Sequence, residues 1–141
     1  MPATVLIVDD DVMTRVALAA VIEDMGHTAL IASNGREAMA IFAAEPAQLV
    51  ITDIFMPEMD GIELLIALRG QAWIPKVIAI SGGGQQCGMD VLHMASLLGA
   101  DATLVKPVLP ARLSRVSQGL LRQAEQEMAA MRRVVPLRPA A

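Results

Sequence analysis

The sequence predicts an α/β domain with a parallel sheet covered by helices on both faces. Three observations carry this. Five short apolar runs alternate with five stretches of helical period, and the connections are short. The runs are apolar along their whole length, as strands buried on both faces are. Polar residues gather at the ends of the runs rather than within them. Right-handed crossovers then divide the helices between two layers.

Residues 5–8 form the first run, rich in β-branched side chains and ending at three aspartates. From residue 12 to 25, Val12, Val16, Ala19, Ala20 and Ile22 follow helical spacing, and Gly26 stands where a helix end favours a residue without Cβ. Asp11 is expected to cap this helix. Residues 28–32 read as a second strand. Asn34-Gly35 signals a turn and opens a helix to about residue 44. Residues 49–52 form a third strand entering Asp53, followed by a loop marked by Pro57 and Gly61, with Asp60 as a cap. Residues 62–68 are a helical stripe that stops at Gly70. A fourth strand, 77–80, leads into Ser81 and three glycines; a helix over 89–98 stops at Gly99. Residues 102–105 are the fifth strand, and Pro110 suits the first turn of the last helix.

Leu113, Val116, Leu120, Ala124, Met128 and Met131 keep one face of that helix apolar past the sheet. The division expected is residues 1–124 as the domain and 125–141 as a helical extension with a frayed tail. The extension offers a surface for a partner or a second copy.

At 141 residues the chain makes one domain. A hydrophobic share of 55% excludes a disordered chain, and a single cysteine, Cys87, excludes a disulfide scaffold. A net charge of -4 with 2% aromatic residues argues against a nucleic-acid partner. No apolar run reaches the ~20 residues of a membrane span, and the start lacks a signal-peptide pattern, so the cytoplasm is the expected location. His27 and His93 read as surface or half-buried, and the ten methionines as core filler.

In an open parallel sheet, ligands bind beyond the carboxyl ends of the strands. Those ends carry Asp9, Asp10 and Asp11, then Asp53, Ser81 and Lys106. Neighbouring carboxylates repel unless a cation sits between them. Oxygen donors without clustered His or Cys select Mg²⁺ or Mn²⁺. A hard cation, a lysine and a hydroxyl suit phosphoryl transfer, and a carboxylate can itself be the nucleophile.

Val8-Asp9-Asp10, the stretch from Asp53-Ile54-Phe55-Met56-Pro57 to Gly61, Ile80-Ser81-Gly82 and Lys106-Pro107 together resemble the receiver domain of bacterial two-component response regulators. The likeness covers about residues 4–121. It implies a flavodoxin-like, doubly wound (βα)5 sheet of order 2-1-3-4-5. It implies that Asp53 accepts a phosphoryl group from a phosphohistidine on a sensor histidine kinase or histidine phosphotransfer protein. Asp10, Asp53 and the Phe55 backbone carbonyl would ligate the metal, with Asp9 orienting it. Lys106, in a cis peptide with Pro107, would pair with the phosphoryl group, and Ser81 would move to hydrogen-bond it.

Two positions depart from the family. Thr103 stands where receivers often carry an aromatic ring, so the signal is expected to run through residues 82–98. Phe55 is expected to border the site and hinder hydrolysis. With no output domain in sight, the expectation is a free-standing phosphorylation switch acting on a downstream protein, without turnover of its own. A constitutive adaptor is the bland alternative. A phosphatase of the haloacid-dehalogenase type would need a second aspartate where Phe55 stands, and nucleotide binding lacks its glycine-rich motifs.

Overall fold

The computed structural model describes residues 2–82 and 88–134. Ten elements alternate: β1 (Thr4–Val8), α1 (Val12–Asp24), β2 (Thr28–Ala32), α2 (Gly35–Ala44), β3 (Leu49–Asp53), α3 (Gly61–Arg69), β4 (Lys76–Ser81), α4 (Gly88–Leu97), β5 (Ala102–Val105) and α5 (Pro110–Val134). All strand pairs are parallel and the order is β2-β1-β3-β4-β5, the doubly wound arrangement expected.

Alternation along each strand builds two cores. Leu6, Val8, Val50 and Ala79 face α2, α3 and α4, meeting Phe42, Leu64, Leu65, Leu68 and Leu92. Val5, Ile7, Ile51, Ile78 and Ile80 face α1 and α5, meeting Leu18, Ile22, Leu113 and Leu121. Both sides of the sheet are therefore dry, which is why the strands show no polar alternation in sequence.

The caps follow their residue types. Asp11 caps α1 by accepting from the Thr14 N–H, and Asn34 caps α2 by accepting from the Glu37 N–H. Asp60 and Glu63 form a reciprocal capping box at α3. Gly26 follows α1 at φ 89, a conformation that a Cβ would strain.

The buried face of α1 differs from the expected stripe. Leu18 and Ile22 point into the core, whereas Val12, Met13 and Val16 are more than half exposed. Val12, Val16 and Ala20, four residues apart, share the outer face of α1, whereas Arg15, Leu18 and Ile22 share the inner one, so the expected stripe has the right period and the wrong phase. Strand β4 is longer than expected and includes Lys76 and Ser81. The glycine loop expected to carry a signal falls largely on residues 83–87, and the tail on 135–141; both, with Cys87, lie outside the described residues.

Helix α5 runs unbroken through residue 124 to Val134. Its extension is tied to the sheet by Lys76, whose Nζ donates to both carboxylate oxygens of Glu127 at 2.6 Å.

Candidate functional site

Register brings the chemistry together. Val8 pairs with Thr52 and Asp53 with Ile80, so Asp9, just past β1, lies beside Asp53, the last residue of β3. Ser81 ends β4 next to Val105, and Lys106 follows at once. Four candidate residues thus line one edge of the sheet because each occupies the same level of a parallel ladder.

Carboxylate oxygens of Asp9, Asp10 and Asp53 all lie within 4.8 Å of one another. Asp9 is fully buried and Asp53 is 7% exposed, while Asp10 is exposed. Lys106 closes the group, its Nζ 2.9 Å from Asp9 Oδ2 and 3.4 Å from Asp53 Oδ2. The Lys106–Pro107 peptide is cis, as expected. Backbone donors fix the carboxylates further: the Asp11 N–H donates to Asp9 Oδ1 at 2.9 Å, and the Ile54 N–H to Asp53 Oδ1 at 2.9 Å. Ser81 is buried at the end of β4, and its backbone carbonyl accepts from the Lys106 N–H at 2.8 Å.

Burial pushes the Asp53 carboxyl above its ordinary value; the Lys106 charge opposes this and the Asp9 charge adds to it. Desolvation pulls the Lys106 ammonium down, but the Asp9 hydrogen bond and the charges of both aspartates outweigh it and leave the lysine above its usual value. The Thr14 hydroxyl and N–H hold Asp11 below the usual carboxylate range. Asp11 is thus engaged in capping and stays out of the cluster, as its sequence position suggested.

The donor set fits a hard divalent cation. Three carboxylates face one ammonium, and the excess negative charge, together with oxygen-only ligands, matches Mg²⁺ or Mn²⁺. Asp9 already accepts from Lys106 and the Asp11 N–H, whereas Asp10 is open to solvent.

Two further expected residues complete the set. Phe55 sits in the loop two residues past Asp53 and is 53% exposed. Thr103, on β5 opposite Ala79, is half-buried in the wall of a cavity of about 580 Å³ that it shares with Leu92, His93, Val105 and Leu109.

Two supporting contacts escaped the sequence reading. Arg15 donates from Nη1 to the Asp9 carbonyl at 2.8 Å, tying α1 to the acidic loop. Gly61 lies so close to β3 that a Cβ would stand 2.3 Å from the Asp53 carbonyl oxygen. Its N–H donates to the Ile54 carbonyl at 2.8 Å, so this glycine lets α3 begin against the phosphoacceptor candidate.

Comparison with known proteins gives the same picture. The chain is 32% identical over 126 residues to the probable transcriptional regulator ycf27 of Porphyra purpurea, covering 86% of this chain and 49% of that protein. It thus spans about half the length of the curated relatives of this type. The crystal structure of the receiver domain of NtrX from Brucella abortus superposes with a TM-score of 0.77 at 30% identity, covering 84% of this chain and 98% of that one. The chemotaxis response regulator CheY4 of Vibrio cholerae gives a TM-score of 0.75 at 28% identity, covering 85% and 99%. Residues 5–118 match the model of the response regulator receiver domain. The chain belongs to the response regulator receiver family.

Proposed function

We propose that this receiver is a phosphorylation switch in which Asp53 takes a phosphoryl group from a phosphohistidine on a sensor histidine kinase or histidine phosphotransfer protein. The observation that carries this reading is the state of Asp53: nearly buried, held at Oδ1 by the Ile54 N–H, and faced at Oδ2 by Lys106, with Asp9 and Asp10 alongside. A carboxylate so placed is oriented as a nucleophile and poorly solvated, and both properties favour attack.

In the step proposed, an Asp53 oxygen bonds to phosphorus as the P–N bond breaks, and the leaving imidazole takes a proton from solvent. Asp10, Asp53 and the Phe55 carbonyl would hold Mg²⁺, with Asp9 orienting it, and the ion when bound would neutralise phosphoryl oxygens. Lys106, released in part from Asp53, pairs with a further oxygen, and Ser81 donates a hydrogen bond. The exposed Val12, Met13 and Val16 offer the phosphodonor an apolar surface beside Asp10.

Output is read as a change on the face formed by α4, β5 and the start of α5. Met94, Leu97, Val105 and Leu109 are exposed there, and Val105 and Leu109 line the Thr103 cavity. The small Thr103 replaces a swinging ring, so movement of Ser81 would be passed on by the chain between β4 and α4. The division into a receiver over 1–124 and a partner-binding extension, with a homodimer through α5 as one form, belongs to this proposal. So does the cytoplasmic location that goes with the phosphodonor; among the described residues no helix is long and apolar enough to cross a membrane. The acidic balance concerns these residues alone, and an expectation of no nucleic-acid partner draws no support from relatives named as transcriptional regulators.

Phosphoramidate with Mg²⁺, followed by mass spectrometry, tests the reading. Wild type is expected to gain one phosphoryl group, and Asp53→Asn or chelation with EDTA to abolish the gain. Unmodified wild type would leave the constitutive adaptor as the better reading.

A further inference from the structure

We propose that the pole opposite the acidic cluster binds a small amphipathic anion, with an apolar body and a carboxylate or phosphate head. A cavity of about 720 Å³ lies there, between the C-terminal half of α5 and the residues that precede the strands. Its size is that of small-molecule sites in general. Met25, Trp73, Leu121 and Met128 supply apolar wall. An adjoining cavity of about 290 Å³ shares Trp73 and Met128, which extends the apolar track along the helix.

The polar groups select the head. His27 lines the cavity, and its Nδ1 accepts from the Ala3 N–H at 3.0 Å. The neutral ring therefore carries its proton on Nε2. That Nε2 is buried and has no hydrogen-bond partner. With essentially no accessible surface, that nitrogen lies behind the cavity wall, so the guanidiniums select the head. Arg122 and Arg132 also line the cavity, and neither forms an ion pair among the described residues. Glu125 lies on the same wall, so two guanidiniums stand against one carboxylate. In a chain of net charge -4, this local excess of positive charge favours an anion. The Lys76–Glu127 pair holds the helix that forms the cavity roof against β4. The site shares no residue with the acidic cluster, so it stands or falls apart from phosphoryl transfer.

The chain contains a single tryptophan and no tyrosine, so its emission reports on Trp73 alone. Decanoate and decyl phosphate, below their micellar concentrations, are the probes; decanol and decyltrimethylammonium are the controls. The expected result is a saturable shift in Trp73 emission with the anions and none with the cation. The double variant Arg122→Met, Arg132→Met should bind about tenfold more weakly. A far-UV circular dichroism spectrum and a thermal melt serve as the fold check on the variant. The proposal is overturned by no saturable shift, by equal binding of anion and cation, or by undiminished affinity in the double arginine variant. It is equally overturned if only phosphatidylglycerol vesicles, and not free decanoate, shift the emission, which would make this pole a lipid-surface contact.

Discussion

Asp53 is under opposing demands. Its burial disfavours the charge that nucleophilic attack requires, and Lys106 only partly offsets this. The folded-state value is raised above the unfolded one, so the ionised carboxyl costs stability at neutral pH. That cost is relieved as pH falls through the raised value towards 3.8. Without Mg²⁺, Asp53→Asn is therefore expected to melt above wild type at neutral pH, by about 3 °C for each kcal/mol relieved. The gap should narrow as the solution is acidified. Added Mg²⁺ should reverse the order, because it stabilises the chain that binds it more tightly; thermal melts across pH with and without Mg²⁺ check both. Gly61 makes the other demand at this scale. A methyl group there meets the Asp53 carbonyl oxygen at 2.3 Å and the Ile54 Cα at 2.8 Å, backbone atoms with nothing flexible to yield. Gly61→Ala is expected to cost about 2–3 kcal/mol in urea unfolding, whereas Gly119→Ala, which meets nothing within 4 Å, should not destabilise the fold.

At the scale of elements, the strands were legible because each is a short apolar run ended by a polar residue, and register then placed Asp9, Asp53, Ser81 and Lys106 at one level without further instruction. The caps were legible for the same local reason. The buried face of α1 was not, since Val12 and Val16 have the right spacing but no element above them. The Arg15 contact was not legible either: a guanidinium reaching a backbone carbonyl leaves no spacing to find. Nor was the Lys76–Glu127 pair, whose partners are 51 residues apart in sequence. That pair is half in solvent on the glutamate side, with Glu127 54% exposed, so its contribution is modest. Glu127→Ala is expected to cost about 0.5 kcal/mol globally, with less of a difference at high salt. Hydrogen exchange should nevertheless rise in the last turns of α5, where the pair is the anchor to β4.

The whole molecule is polar in the chemical sense, with carboxylates at one end of the sheet and arginines near the other. Between them, the face over Thr103 has room to spare. Thr103→Tyr is expected to fill part of that cavity and reduce severalfold the preference of a downstream partner for the phosphorylated form. Pull-downs with and without phosphoryl donor measure this, and an unchanged preference would remove Thr103 from the switch. Helix α5 has a consequence of its own. Its 25 residues span about 37 Å, a rigid rod with a defined phase. A reporter fused directly after Val134 would be aimed by that rod, so that one inserted residue swings it by about 100° and seven bring it nearly back.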